Sequence, residues 1–110
     1  MGSTPGLACI PAAIPAPERP GHFALGRELL EVRAIERVAL PNGYATRFKP
    51  DAFEAVARFV ANERRCCPFL SFELLLEPAA GPLWLRMTGP EGTREILDAE
   101  LSLHGACGCK

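Results

Sequence analysis

A chain of 110 residues, 48% of them apolar, with a formal net charge of -1, has room for one modest core and is too apolar to be disordered throughout. The near-neutral charge argues against general nucleic-acid binding, which needs a basic face to displace counterions. No apolar run approaches the roughly 18 residues of a membrane span.

The first 20 residues hold Pro5, Pro11, Pro15, Pro17 and Pro20, so an extended arm is predicted rather than a helix. Met1 to Pro5 has no positive n-region, and the stretch before Cys9 is too short for a secretory apolar core. A cytoplasmic setting is therefore expected, where cysteines stay reduced and more often bind metal or catalyse than form structural disulfides. Five cysteines, an odd number, also argue against a fully paired disulfide framework.

From Glu18 to Leu30, Phe23, Leu25, Leu29 and Leu30 recur at helical spacing as a buried side, weakened by Gly26. Glu31–Leu40 and Tyr44–Phe48 read as strands around Pro41-Asn42-Gly43, a hairpin signal because Asn and Gly both tolerate positive φ. Asp51 is placed to cap the next helix, Asp51–Cys66, whose apolar face carries Phe53, Val56, Phe59 and Val60. Leu70, Phe72, Leu74 and Leu76 then alternate with Ser71, Glu73, Leu75 and Glu77 as a half-buried strand. After Pro78–Pro82, Leu83, Leu85 and Met87 alternate with Trp84, Arg86 and Thr88 in its partner. A last helix runs from Glu91 to Leu103, with Ile96, Leu97 and Leu101 facing inward.

These elements predict an α+β fold in the order α-ββ-α-ββ-α. It is a single domain over residues 21–103, with a four-stranded antiparallel sheet from two β-hairpins and helices packed on one face. An extended arm (1–20) precedes it and a glycine-rich tail (104–110) follows. Residues 31–66 and 70–103 are each a hairpin followed by a helix, a loose internal repeat.

The chemistry concentrates at Glu63-Arg64-Arg65-Cys66-Cys67-Pro68. Pro68 pushes the residue before it out of helical geometry, so the helix ends on two adjacent thiols. Helical rotation sends position 67 near the centre of the apolar face and position 66 towards its edge. Single buried cysteines are commonly small core hydrophobes. Adjacency, the helix break and two neighbouring arginines favour a thiolate pair that chelates a soft ion. The helix C-terminus opposes thiolate formation, whereas Arg64 and Arg65 favour it. Cys9, on the arm, is the third candidate ligand. Three thiolates suit mercury or trivalent arsenic, or three of the four ligands of zinc. Glu63, one turn back, is placed to fill a zinc position or to support a ligand from behind. In the tail, Cys107-Gly108-Cys109 sets two thiols within reach of one ion and suits metal collection or transfer, in concert with a metal-transfer protein partner. No Cys-x-x-Cys, phosphate loop, nucleophile elbow or His-Glu-x-x-His helix is present. His22 and His104 are the two histidines from which a Cys–His pair would have to be built.

Cys9, Asn42-Gly43-Tyr44-Ala45, Glu63-Arg64-Arg65-Cys66-Cys67-Pro68-Phe69, Trp84-Leu85-Arg86 and Thr88-Gly89-Pro90-Glu91-Gly92 together resemble a group of small, mostly uncharacterised bacterial proteins. The resemblance spans roughly residues 7–98. Some members of that group accompany heavy-metal, notably mercury, resistance, so the resemblance implies a soft-metal role here; the Cys-Gly-Cys tail lies outside it.

The sequence therefore points to a binding protein for a soft metal or metalloid: Hg(II), As(III), Cu(I) or zinc, with mercury favoured. Its ligands would be drawn from Cys66, Cys67, Cys9, Cys107 and Cys109. The alternative is an enzyme in which Cys66, Cys67 and Glu63 act on an organomercurial or an oxyanion. The third reading is an interaction module whose cysteines are merely buried.

Overall fold

Apolar periodicity produces the expected kinds of element, and the shifts at their ends have local causes. The computed structural model describes residues 8–103. Its helices are α1 (Arg19–Arg27), α2 (Phe53–Cys66) and α3 (Thr93–Leu103), and its strands are β1 (Glu36–Leu40), β2 (Gly43–Phe48), β3 (Ser71–Leu76) and β4 (Leu83–Thr88). All neighbouring strands are antiparallel, in the order β1-β2-β4-β3. The helices cover one face of this sheet, giving the expected α+β architecture. Phe48, Leu83, Leu85 and Met87 from the central strands meet Val56, Phe59 and Leu97 in the core. The other face is a polar lattice, in which Arg86 pairs with Glu73, Arg47 lies between Glu36 and Glu77, and Trp84 donates to Glu77.

The arm is not simply extended. Its described part makes two 3-10 turns, Pro11–Ala13 and Ala16–Glu18, between which Ile14 is fully buried. Proline at the first turn position suits such turns, because its fixed φ is already helical and it needs no partner for a missing N–H. After α1 the backbone continues as a π-helical segment, Glu28–Arg33, so β1 begins at Glu36 rather than at Glu31. That continuation turns Leu29 and Leu30 into the core. Arg37 reaches back to donate to the Leu30 carbonyl, one of those a helix end leaves unpaired.

Four further expectations need correction. The β1–β2 hairpin forms, but neither Asn42 nor Gly43 has positive φ. Gly43 is required by close approach instead, since a Cβ there would stand 1.9 Å from the Met87 carbonyl oxygen. The left-handed pair is Ala79 and Ala80, in the second hairpin, with φ of 61° and 54°. Asp51 does not cap α2; the helix grows out of a 3-10 turn, Pro50–Ala52, with no side-chain cap, and Asp51 lies 3.4 Å from Arg33. On α2, Phe53 is 41% exposed, and the buried stripe is Val56, Phe59, Glu63 and Cys66. β3 is not half-buried, because it is an edge strand: Leu74, Leu75 and Leu76 are 39%, 60% and 53% exposed.

Candidate metal centre

The site is built where α2 stops. The Cys67 amide makes the last helical hydrogen bond, to the Glu63 carbonyl at 2.8 Å. Cys67 itself leaves helical geometry at φ -120°, ψ 79°, as the following proline demands. Cys66 therefore keeps a helical direction while Cys67 takes a new one, and both side chains are fully buried.

The arm supplies the third sulfur. Ile10 donates its amide to the Cys66 carbonyl, satisfying a group at the helix end that would otherwise lack a partner. Arg19, at the start of α1, donates to the carbonyls of Pro11, Ala12 and Ile14, and Ile14 plugs into the core. These anchors hold Cys9, half-buried, against the helix end. The sulfurs of Cys9, Cys66 and Cys67 all lie within 4.8 Å of one another, a grouping that could hold a metal ion. The structure records Cys66 as disulfide-bonded, so its sulfur becomes a ligand only on reduction.

The spacing can be set against a metal's needs. Metal–sulfur bonds of about 2.3 Å place sulfurs about 3.8 Å apart around a tetrahedral ion, about 4.0 Å around a trigonal one and about 4.6 Å across a linear one. All three fall inside the observed limit. The Cys9 and Cys67 sulfurs, 2.7 Å apart, would separate by about 1 Å to admit an ion of that bond length.

Behind the sulfurs lies a second buried polar group. His22 of α1 and Glu63 of α2 are fully buried at the side chain, with Nε2 and Oε1 2.7 Å apart. The His22 ring stacks on Phe59 at 5.3 Å between centroids, and its Nδ1 is buried with no hydrogen-bond partner among the described residues. The other Glu63 oxygen accepts from the Cys67 thiol at 3.6 Å. Burial raises the Glu63 pKa above the ordinary glutamate value, and the hydrogen bond and charge of His22 pull it partly back. Imidazole, carboxyl group and sulfur are thus connected in series through the protein interior.

The structure brings together Cys9, Cys66 and Cys67, with Glu63 beside them. Arg64 and Arg65 are exposed, and Arg65 is turned towards Asn62 at 3.4 Å. Cys107 and Cys109 lie outside the described residues. His22 is the residue that sequence reasoning left unplaced. Its signal was available, since positions 22, 26, 29 and 30 share one helical face and are all buried, but a lone histidine on such a face names no partner.

No family model, curated protein or solved structure matches the chain. Among the described residues, no helix is long and apolar enough to cross a membrane.

Proposed function

We propose that the protein binds a soft metal or metalloid ion through the thiolates of Cys9, Cys66 and Cys67, in a cytoplasmic role in metal resistance or trafficking. The observation that carries this reading is the convergence of three sulfurs from two distant segments on one point, within 4.8 Å. In the reduced chain three thiolates this close would repel one another and lose hydration on burial, and a bound cation would offset both effects. Sulfur donors select thiophilic ions over oxygen-seeking ones. A three-sulfur set favours mercuric ion or trivalent arsenic, mercury first. Zinc would need a fourth donor, for which Glu63 Oε2, 3.6 Å from the Cys67 sulfur, is a candidate, and Cu(I) also suits the sulfur set. Cys107 and Cys109 enter as a pair that collects the ion and passes it to or from this centre, with a metal-transfer protein as partner.

The test is titration under reducing conditions with Hg(II), arsenite, Cu(I) and zinc, followed by thiolate absorption and mass spectrometry. One ion per chain is expected. Replacing both Cys66 and Cys67 by serine should remove tight binding, and unchanged stoichiometry in that variant would rule the reading out. Cys107→Ser with Cys109→Ser should slow loading without changing the final stoichiometry.

A second reading is favoured by the 3.6 Å contact between the Cys67 thiol and Glu63, which sets a proton-carrying group beside a nucleophile. A thiol-dependent enzyme acting on an organomercurial or an oxyanion would turn over faster than free thiol at equal concentration. Glu63→Gln would then lose turnover and keep the ion, whereas a binding protein would show no turnover to lose.

A further inference from the structure

The two edges of the sheet differ. β1 carries Glu36 and Arg37, the kind of charge that blunts an open edge, and its Leu40 carbonyl accepts from Arg94. β3 carries three consecutive leucines, each more than a third exposed. Its sole interior charge, Glu73, is drawn back over the sheet by Arg86 on β4, at 2.9 Å. The leucines of β3 belong to both faces. Leu74 and Leu76 stand opposite Leu85 and Leu83 on the core side, whereas Leu75 stands opposite Trp84 on the other. The apolar layer of the core therefore continues to the edge of the sheet and ends there uncovered. A groove of about 460 Å³, lined by Val60, Arg64, Leu70, Ser71 and Phe72, runs beside it under α2.

We infer that β3 is a homodimerisation edge, and that its occupant is β3 of a second copy of this chain, paired antiparallel about a two-fold axis at Leu74. The self-complementarity of the strand selects both occupant and register. With Leu74 opposite Leu74 of the second copy, Phe72 meets Leu76 and Glu73 meets Leu75, so no like charges face each other. Moving the axis to Leu75 would set Glu73 against Glu77, a like-charge pair that is unfavourable directly across strands. A two-fold axis perpendicular to the sheet keeps the core faces on one side, giving a continuous eight-stranded sheet with an isologous contact. Leu76 of each copy then lies over Phe72, at the mouth of the groove. Strand addition draws on main-chain hydrogen bonds for affinity and on side-chain pairs for specificity. A six-residue strand, about 20 Å long and about 10 Å deep across the sheet, presents an edge of roughly 200 Å², well short of the roughly 800 Å² per partner of a standard stable interface, so the dimer is weak and concentration-dependent.

The experiment is sedimentation velocity on the full chain, from micromolar to sub-millimolar concentration, with reductant present to exclude intermolecular disulfides. The wild type should move from monomer to dimer. Leu74→Lys sets two ammonium groups opposite each other across the axis and should weaken the dimer at least about tenfold. Leu75→Lys faces Glu73 of the second copy and should leave the dimer in place. Amide hydrogen exchange on the wild type tests the same point without a variant: protection along Ser71–Leu76 should rise with concentration while that of Glu36–Leu40 stays constant. A wild type that remains monomeric, a dimer that survives Leu74→Lys in a chain with native circular dichroism, or β3 exchange that ignores concentration would each overturn the inference.

Discussion

The chain uses the hairpin-then-helix pattern twice, and the two uses reach different ends. In the first, β2 lies in the middle of the sheet and α2 carries Phe59, Glu63 and Cys66 into full burial. In the second, β3 is left at the edge with its leucines exposed, and α3 packs near Tyr44, whose hydroxyl donates to Asp98. The local patterns are alike; the difference is a third party. The first helix ends against the arm, which supplies an amide for its last carbonyl, an apolar plug and a sulfur. A repeat of elements becomes a site where an outside segment closes over it.

The largest way to break this contrast is to loosen the segment that creates it. Ile14→Ala removes a fully buried side chain and should lower stability by about 2–5 kcal/mol, read by denaturant unfolding, with a weaker affinity for soft ions in the same variant. If stability falls and affinity holds, the arm is a structural clasp and Cys9 is not a ligand.

The two turns should respond with opposite signs. Gly43→Ala drives a Cβ into the Met87 carbonyl and should destabilise by about 1–3 kcal/mol, the range for overpacking. Ala80→Gly relieves a left-handed backbone and should stabilise by about 0.5–1 kcal/mol after the entropy of the added glycine is counted. Thermal melting of both variants tests the pair, and a shared sign would show that the turns do not differ as described.

The smallest effect concerns the buried carboxyl group. Glu63 keeps its proton to a higher pH in the folded chain than in the unfolded one. Its contribution to stability is therefore fully present below the ordinary glutamate value of 4.5 and is lost as pH rises through the raised folded value. Melting temperature compared between wild type and Glu63→Gln should show the wild type losing ground as pH rises from that value. A constant difference would mean that the folded carboxyl group titrates as it does in the unfolded chain.

Much of this architecture was legible in the sequence because it rests on local periodicity. Alternation marked β4, helical spacing marked α2, and Pro68 fixed where that helix ends. What could not be read depends on neighbours distant in the chain. Leu74 and Leu76 have the same alternation as Leu83 and Leu85, and only strand order decides which pair is covered. Asn42-Gly43 reads as a left-handed turn, yet the glycine answers to the Met87 backbone, which the hairpin's own residues do not specify. Glu63 lies on the apolar stripe and would be misplaced there without His22, a partner 41 positions away. Ile14, among prolines, gives no periodic signal at all.

Cys9 and Cys67 are separated by 58 positions, and an ion shared between them would tie that span into a ring. Closing a loop of this length removes about 4 kcal/mol of chain entropy from the unfolded ensemble in the disulfide model. Capturing cargo and locking the polypeptide would then be one event, with the ion fastening across the chain an arm that Ile14 and Arg19 already seat against the helix end.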